Sequence, residues 1–249
     1  MTWFQNKNYH KWLFVVYIVF LAITAINPPH PSDFILEHVM TAIFIIVILG
    51  TYKKFPLSHV SYTLIFVFMV LHTIGARYTY SEVPYEAWTK SIFGIGINEL
   101  LGFTRNHYDR LVHFSFGLLM AYPVREIFLR IASVKGFWGY YLPLDVMAAF
   151  SMVYELIEWA VALVFGGELE MTYLGTQGDI WDAHKDMALA TLGALISMVV
   201  VAIINYCYKP DFTKEIESSL SVKRKTPLGE VELGRMKKHS KNIEYQAKT

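Results

Sequence analysis

Six stretches of this chain are apolar for long enough to cross a bilayer, and that feature limits the fold more than any other. A membrane helix needs roughly 20 mainly apolar residues at about 1.5 Å of rise each. The stretches run Lys11–Ile26, Asp33–Thr51, Ser58–Gly75, Tyr108–Ile131, Phe137–Phe165 and Ala183–Tyr208. Composition agrees: 54% of the residues are hydrophobic and the mean hydropathy is +0.35, too apolar for a soluble domain. The expected fold is all-α, a polytopic membrane helix bundle of about six transmembrane helices. The first stretch is short enough to be the apolar part of a signal peptide, with Ala25 near a plausible cleavage point. Asn27-Pro28-Pro29 turns straight into the second stretch, however, which favours an uncleaved helix.

Basic residues set the orientation. Lys7 and Lys11 precede span one, Lys53 and Lys54 follow span two, and Arg125, Arg130 and Lys135 lie between spans four and five. Lys209, Lys214 and Lys223-Arg224-Lys225 follow span six. With six crossings all four groups fall on one side, so the expected topology is N-in/C-in. The opposite loops run Asn27–Ser32, Arg77–His107 and Gly166–Asp182, the last of them acidic. Residues 1–208 therefore read as the transmembrane domain. Residues 209–249 read as a basic, flexible cytoplasmic tail that anchors topology and is too polar to bury a core.

The net charge of +1, from 22 basic and 21 acidic residues, argues against a nucleic-acid partner; the expected partner is membrane lipid. Cys207 is the only cysteine, so neither an intramolecular disulfide nor a thiolate cluster can form. Any metal must be held by nitrogen and oxygen.

Ionisable side chains inside a span cost a few kcal/mol each and so mark functional candidates. Here they share one depth. Span four opens Asn106-His107-Tyr108-Asp109-Arg110-Leu111-Val112-His113, with Asp109 and His113 four apart on one face. That face continues through Gly117 and Ala121, small enough to admit a neighbouring helix. Span five carries Glu155 and Glu158, three apart, next to Trp159. Before span six, Asp179, Asp182 and Asp186 form one stripe if the helix begins at Asp179, continuing through Ala190 and Gly193. His72 lies below the outer end of span three. Counting helical rise puts Asp109 and His113 within about 10 Å of the outer boundary, Glu158 about 10 Å and Glu155 about 15 Å beneath it. Asp145 stands apart, nearer the cytoplasmic end.

Carboxylates and imidazole without thiolate suit zinc, magnesium or manganese. Closely spaced carboxylates also suit acid–base work or a proton relay. A buried ion-pair network, with Arg110, Arg77 or Lys185 neutralising the acids, is the plainer alternative. Glu37 and His38 lie near the outer start of span two and read as solvated at the interface. Trp88, Trp138, Tyr140, Tyr141 and Trp181 read as interfacial anchors. Gly94-Ile95-Gly96 follows no strand and is not a nucleotide loop.

The segments Tyr78–Pro84, Asn106–Phe114, Tyr154–Trp159 and Tyr173–Met187 together resemble the YjdF-type family of bacterial inner-membrane proteins. The likeness spans most of Leu13–Ile204 and implies an inner-membrane address without supplying a reaction. More distantly, Asp109 with His113-Phe114, then Glu155, then Asp182 and Asp186 with Gly193, look like VanZ-like membrane proteins. That second likeness implies a role in cell-envelope physiology. Glu158-Trp159 and the long Gly-Thr-Gln-Gly-Asp loop depart from it.

Three functions fit these residues. In the first, an enzyme opens toward the outer leaflet and acts on a lipid or lipid-linked envelope substrate. Its catalytic candidates are Asp109, His113, Glu155, Glu158, Asp182 and Asp186. A divalent metal would be held among His113, Glu155, Glu158, Asp179, Asp182 and Asp186, with Asp109 orienting His113. Arg77, Arg110, Lys185 and His72 would receive the substrate's anionic headgroup. The second is a cation- or proton-coupled transporter using the same acids, and the third a non-catalytic envelope or assembly factor.

Overall fold

The computed structural model describes residues 8–165 and 177–246, without the side chains of residues 165 and 240–246. Lys7 and loop residues 166–176, including the start of the Tyr173–Met187 motif, lie outside that description. Six long helices coincide, to within a few residues, with the six apolar stretches: α1 (Tyr9–Thr24), α2 (Pro31–Thr51), α3 (His59–Arg77), α6 (Tyr108–Ile131), α7 (Trp138–Phe165) and α8 (Asp182–Tyr208). Among the described residues no strand occurs.

Helices α2, α3, α7 and α8 are long and apolar enough to cross a membrane, and α1 is a shorter apolar helix. Their outward faces carry Ile46, Leu163, Val164 and Ile203, each more than half exposed. So continuous an apolar surface is far larger than a water-soluble monomer tolerates, whereas a bilayer covers it. Helix α6 has 24 residues but carries Asp109, Arg110, His113, Arg125, Glu126 and Arg130. It can hold them because it is central, packing most closely on α8 and then on α3 and α7.

The α6–α8 contact depends on missing side chains. A Cβ at Gly117 would collide with the Ala190 carbonyl, and one at Gly193 with the Phe114 carbonyl. Only glycine lets the two backbones meet there. Below this crossing lies a methionine-rich core of Met69, Met120, Met147 and Met198 with Ala121 and Ala194. Helix α1 leans on α3, tied by Tyr9 Oη to Thr63 Oγ1 at 2.8 Å and Tyr17 Oη to Thr73 Oγ1 at 3.1 Å.

The outer loop between α3 and α6 is more ordered than its composition suggests. It forms two short helices, α4 (Tyr85–Phe93) and α5 (Ile97–Leu101). Gly94 (φ 78°) and Gly102 (φ 69°) end them in the left-handed conformation glycine favours. Glu86 accepts the Asn98 amide at 2.7 Å, capping α5. The tail also carries two helices, α9 (Phe212–Leu220) and α10 (Leu228–Gln246). Helix α9 is docked under α7: Gly136 N donates to Glu215 Oε1 at 3.0 Å and Phe137 N to Ser219 Oγ at 2.9 Å.

Candidate metal centre

Because α6 and α8 cross so closely at Gly117 and Gly193, their first turns face one another. One ligand atom from each of Asp109, His113 and Asp186 lies within 4.8 Å of the other two. His113 Nε2 is 3.6 Å from Asp109 Oδ1 and 3.5 Å from Glu155 Oε1, both too long for good hydrogen bonds. Asp186 is 2% exposed and His113 7%. Asp186 Oδ1 and Glu155 Oε1 are buried and have no hydrogen-bond partner. Buried carboxylate oxygens without donors are rare and call for an explanation. Glu158 lies within electrostatic reach of Glu155 and Asp109 and hydrogen-bonds Tyr154. Asp109 thus stands beside both His113 and Asp186.

The acids at the outer rim are arranged differently. Helix α8 begins at Asp182, so Asp179 does not extend its stripe. It sits in the preceding turn, where its Oδ1 accepts the Trp181 amide at 3.1 Å. Three cations surround Asp179 and Asp182. Arg110 Nη2 donates to Asp179 at 2.6 Å and to Asp182 at 3.0 Å, Arg105 Nη2 to Asp182 at 2.7 Å, and Lys185 Nζ to Asp179 at 2.6 Å. The hydrogen bonds from Lys185, the Trp181 amide and Arg110 hold the Asp179 carboxyl well below the usual carboxylate range. The site is therefore two-tiered: an outer ring in which cations outnumber acids, and a deeper group of acids with His113. Asp182 spans the tiers, since its Oδ2 is buried without a hydrogen bond.

Two residues differ in place from what their sequence positions suggest. Glu37 is not solvated at the interface; it is 6% exposed, and its Oε2 accepts from Tyr154 Oη at 3.2 Å and Tyr80 Oη at 3.4 Å. Its position four residues before Thr41 puts both on the face of α2 that meets α3, where Thr41 Oγ1 is 2.8 Å from His72 Nε2. Tyr80 Oη lies 2.6 Å from His72 Nδ1. His72 is thus held within a polar chain beside the acids, while Arg77 does not join them. The Arg77 guanidinium instead hydrogen-bonds the carbonyls of Thr24 and Ile26, capping the end of α1. Arg105, which the sequence did not single out, pairs with Asp182 beside Arg110. As a loop residue, Arg105 lies outside any helical periodicity, so spacing gave no signal for it.

The chain is similar to known membrane proteins along most of its length. A family model described as "Predicted membrane protein (DUF2238)" matches residues 9–206, which takes in every side chain of both tiers. The chain belongs to this family. It is also 38% identical over 183 residues to the inner membrane protein YjdF of Escherichia coli (strain K12), covering 73% of this chain and 83% of the relative. No solved structure matches. The family and this relative make the chain an inner-membrane protein, with a buried acidic and histidine group at one end of its helical bundle.

Proposed function

We propose that Asp109, His113 and Asp186 hold a divalent cation, and that the protein is an enzyme acting on a phosphate-bearing lipid or lipid-linked envelope substrate at the extracytoplasmic side. The observation that carries this is the convergence of three ligand atoms within 4.8 Å beside buried carboxylate oxygens that lack any donor. Without a cation, Asp109, Glu155, Glu158 and Asp186 face one another with only His113 between them, an arrangement that like-charge repulsion makes costly. One imidazole and a few carboxylates form a donor set suited to zinc, manganese or magnesium.

When bound, such a cation would polarise a phosphoryl oxygen or lower the pKa of a coordinated water. The chain's own groups divide the remaining work. Asp109, His113 and Asp186 orient the bound species. Glu155, at 3.5 Å from His113, and Glu158 behind it take up and return protons. Arg105, Arg110 and Lys185 form an anion-receiving rim, and a substrate phosphate can take over hydrogen bonds now made by Asp179.

Elemental analysis of protein purified in mild detergent tests this. The wild type should retain a stoichiometric divalent cation or take one up from zinc, manganese or magnesium salts. Asp186→Asn and His113→Ala should lose it while remaining folded by thermal melting. Folded wild-type protein that takes up none of the three would overturn the reading.

A further inference from the structure

At the opposite end of the bundle, α1 and α2 both pack on α3 rather than on each other. The gap between them is a cleft of about 250 Å³, walled by Phe14 and Tyr17 of α1, Ile45 and Ile48 of α2, and Ile65 and Met69 of α3. Val15 and Leu49 of its lining are also exposed on the apolar outer face of α1 and α2, which puts its opening at bilayer depth. Its end nearer the basic loops is closed, because Tyr52 Oη and His10 Nε2 meet at 2.5 Å and the His10 ring also faces Tyr62 at 5.5 Å.

That closed end is positive. Lys11 lines the cleft, and Lys53 and Lys54 follow directly after Tyr52; all three are exposed. No acidic residue occurs from residue 8 to residue 32 or from residue 38 to residue 81, the segments that form the lower walls. Glu126 of α6 reaches this end, but its oxygens are taken by Ser58 N, Ser61 Oγ and Arg130.

We propose that the cleft is a binding site for one acyl chain of an anionic phospholipid from the cytoplasmic leaflet, with the headgroup held by Lys11, Lys53 and Lys54. Charge complementarity selects the headgroup, since clustered lysines at this surface attract anionic lipid. The closed end selects the chain. A helix about 10 Å wide could not run past the Tyr52–His10 contact, whereas an acyl chain enters from the side. The site is separate from the metal centre and does not depend on it.

The test uses full-length protein in nanodiscs of phosphatidylcholine alone or in an equimolar mixture with phosphatidylglycerol, with retained lipid counted by native mass spectrometry. The wild type should keep phosphatidylglycerol in preference to phosphatidylcholine. That retention should fall roughly tenfold or more both in the combined Lys11→Gln, Lys53→Gln, Lys54→Gln variant and in Ile48→Trp, which plugs the cleft. Equal retention of the two lipids by the wild type, the behaviour of ordinary surrounding lipid, would overturn the proposal. So would loss in the lysine variant with full retention in Ile48→Trp, which would leave surface charge without a cleft. If Ile48→Trp does not fold, the smaller plug Ile45→Phe gives the same readout.

Discussion

Charge in this protein is stabilised in three different ways, and single residues separate them. Asp182 is 3% exposed and shared between Arg105 and Arg110. Breaking a buried pair costs about 3–5 kcal/mol when the remaining charge has no other partner. Because Arg110 stays in contact, Arg105→Met should cost about 2 kcal/mol, read as lost stability in detergent unfolding. Asp179 behaves as a titrating group in the loop. Its folded-state pKa is depressed, so its stabilisation is present above the ordinary aspartate pKa of about 4 and is lost as pH falls below it. The difference in melting temperature between wild type and Asp179→Asn should therefore shrink on acidification below about pH 4. Glu37 supplies a third case. Tyr80→Phe leaves His72 Nδ1 without its 2.6 Å partner, and should cost about 1–3 kcal/mol by the same unfolding measurement. In sequence, Asp109, His113 and Asp186 stood out because charge inside a span is unusual. Glu37 did not, because an acid near the start of a span looks solvated, and its partners Tyr80 and Tyr154 come from distant segments.

At the scale of elements, hydropathy located the long helices well because the bilayer demands both length and apolarity. It was least informative for α6, whose buried charges face other helices rather than lipid. The small-residue stripe supplied what hydropathy lacked. Gly117 and Gly193 pointed to a close helix pair, and the α6–α8 crossing is that pair. Gly117→Leu and Gly193→Leu should each destabilise the bundle by about 1–3 kcal/mol, and should also lower cation uptake by separating Asp109 and His113 from Asp186. Stability and uptake measured on the same preparations check both effects. Helices α4 and α5 were not legible, because pieces of 9 and 5 residues are set by caps such as Glu86 and by turns at Gly94 and Gly102 rather than by periodicity.

At the scale of the whole molecule, the bundle is polar at one end and basic at the other. The acids and His113 gather beneath one end, and the short basic loops lie at the other. The expected N-in/C-in topology puts the basic side in the cytoplasm, so a reporter active only there should work when fused to either terminus. One active only outside it should work when fused within the α3–α6 loop. The central claim is that separate helices bring three ligand atoms together around a cation. Anomalous X-ray scattering at the manganese and zinc edges, from crystals grown with either salt, tests it most directly. The account predicts one strong peak bounded by the carboxylates of Asp109 and Asp186 and the imidazole of His113. An empty map at that position with the metal in excess would contradict it.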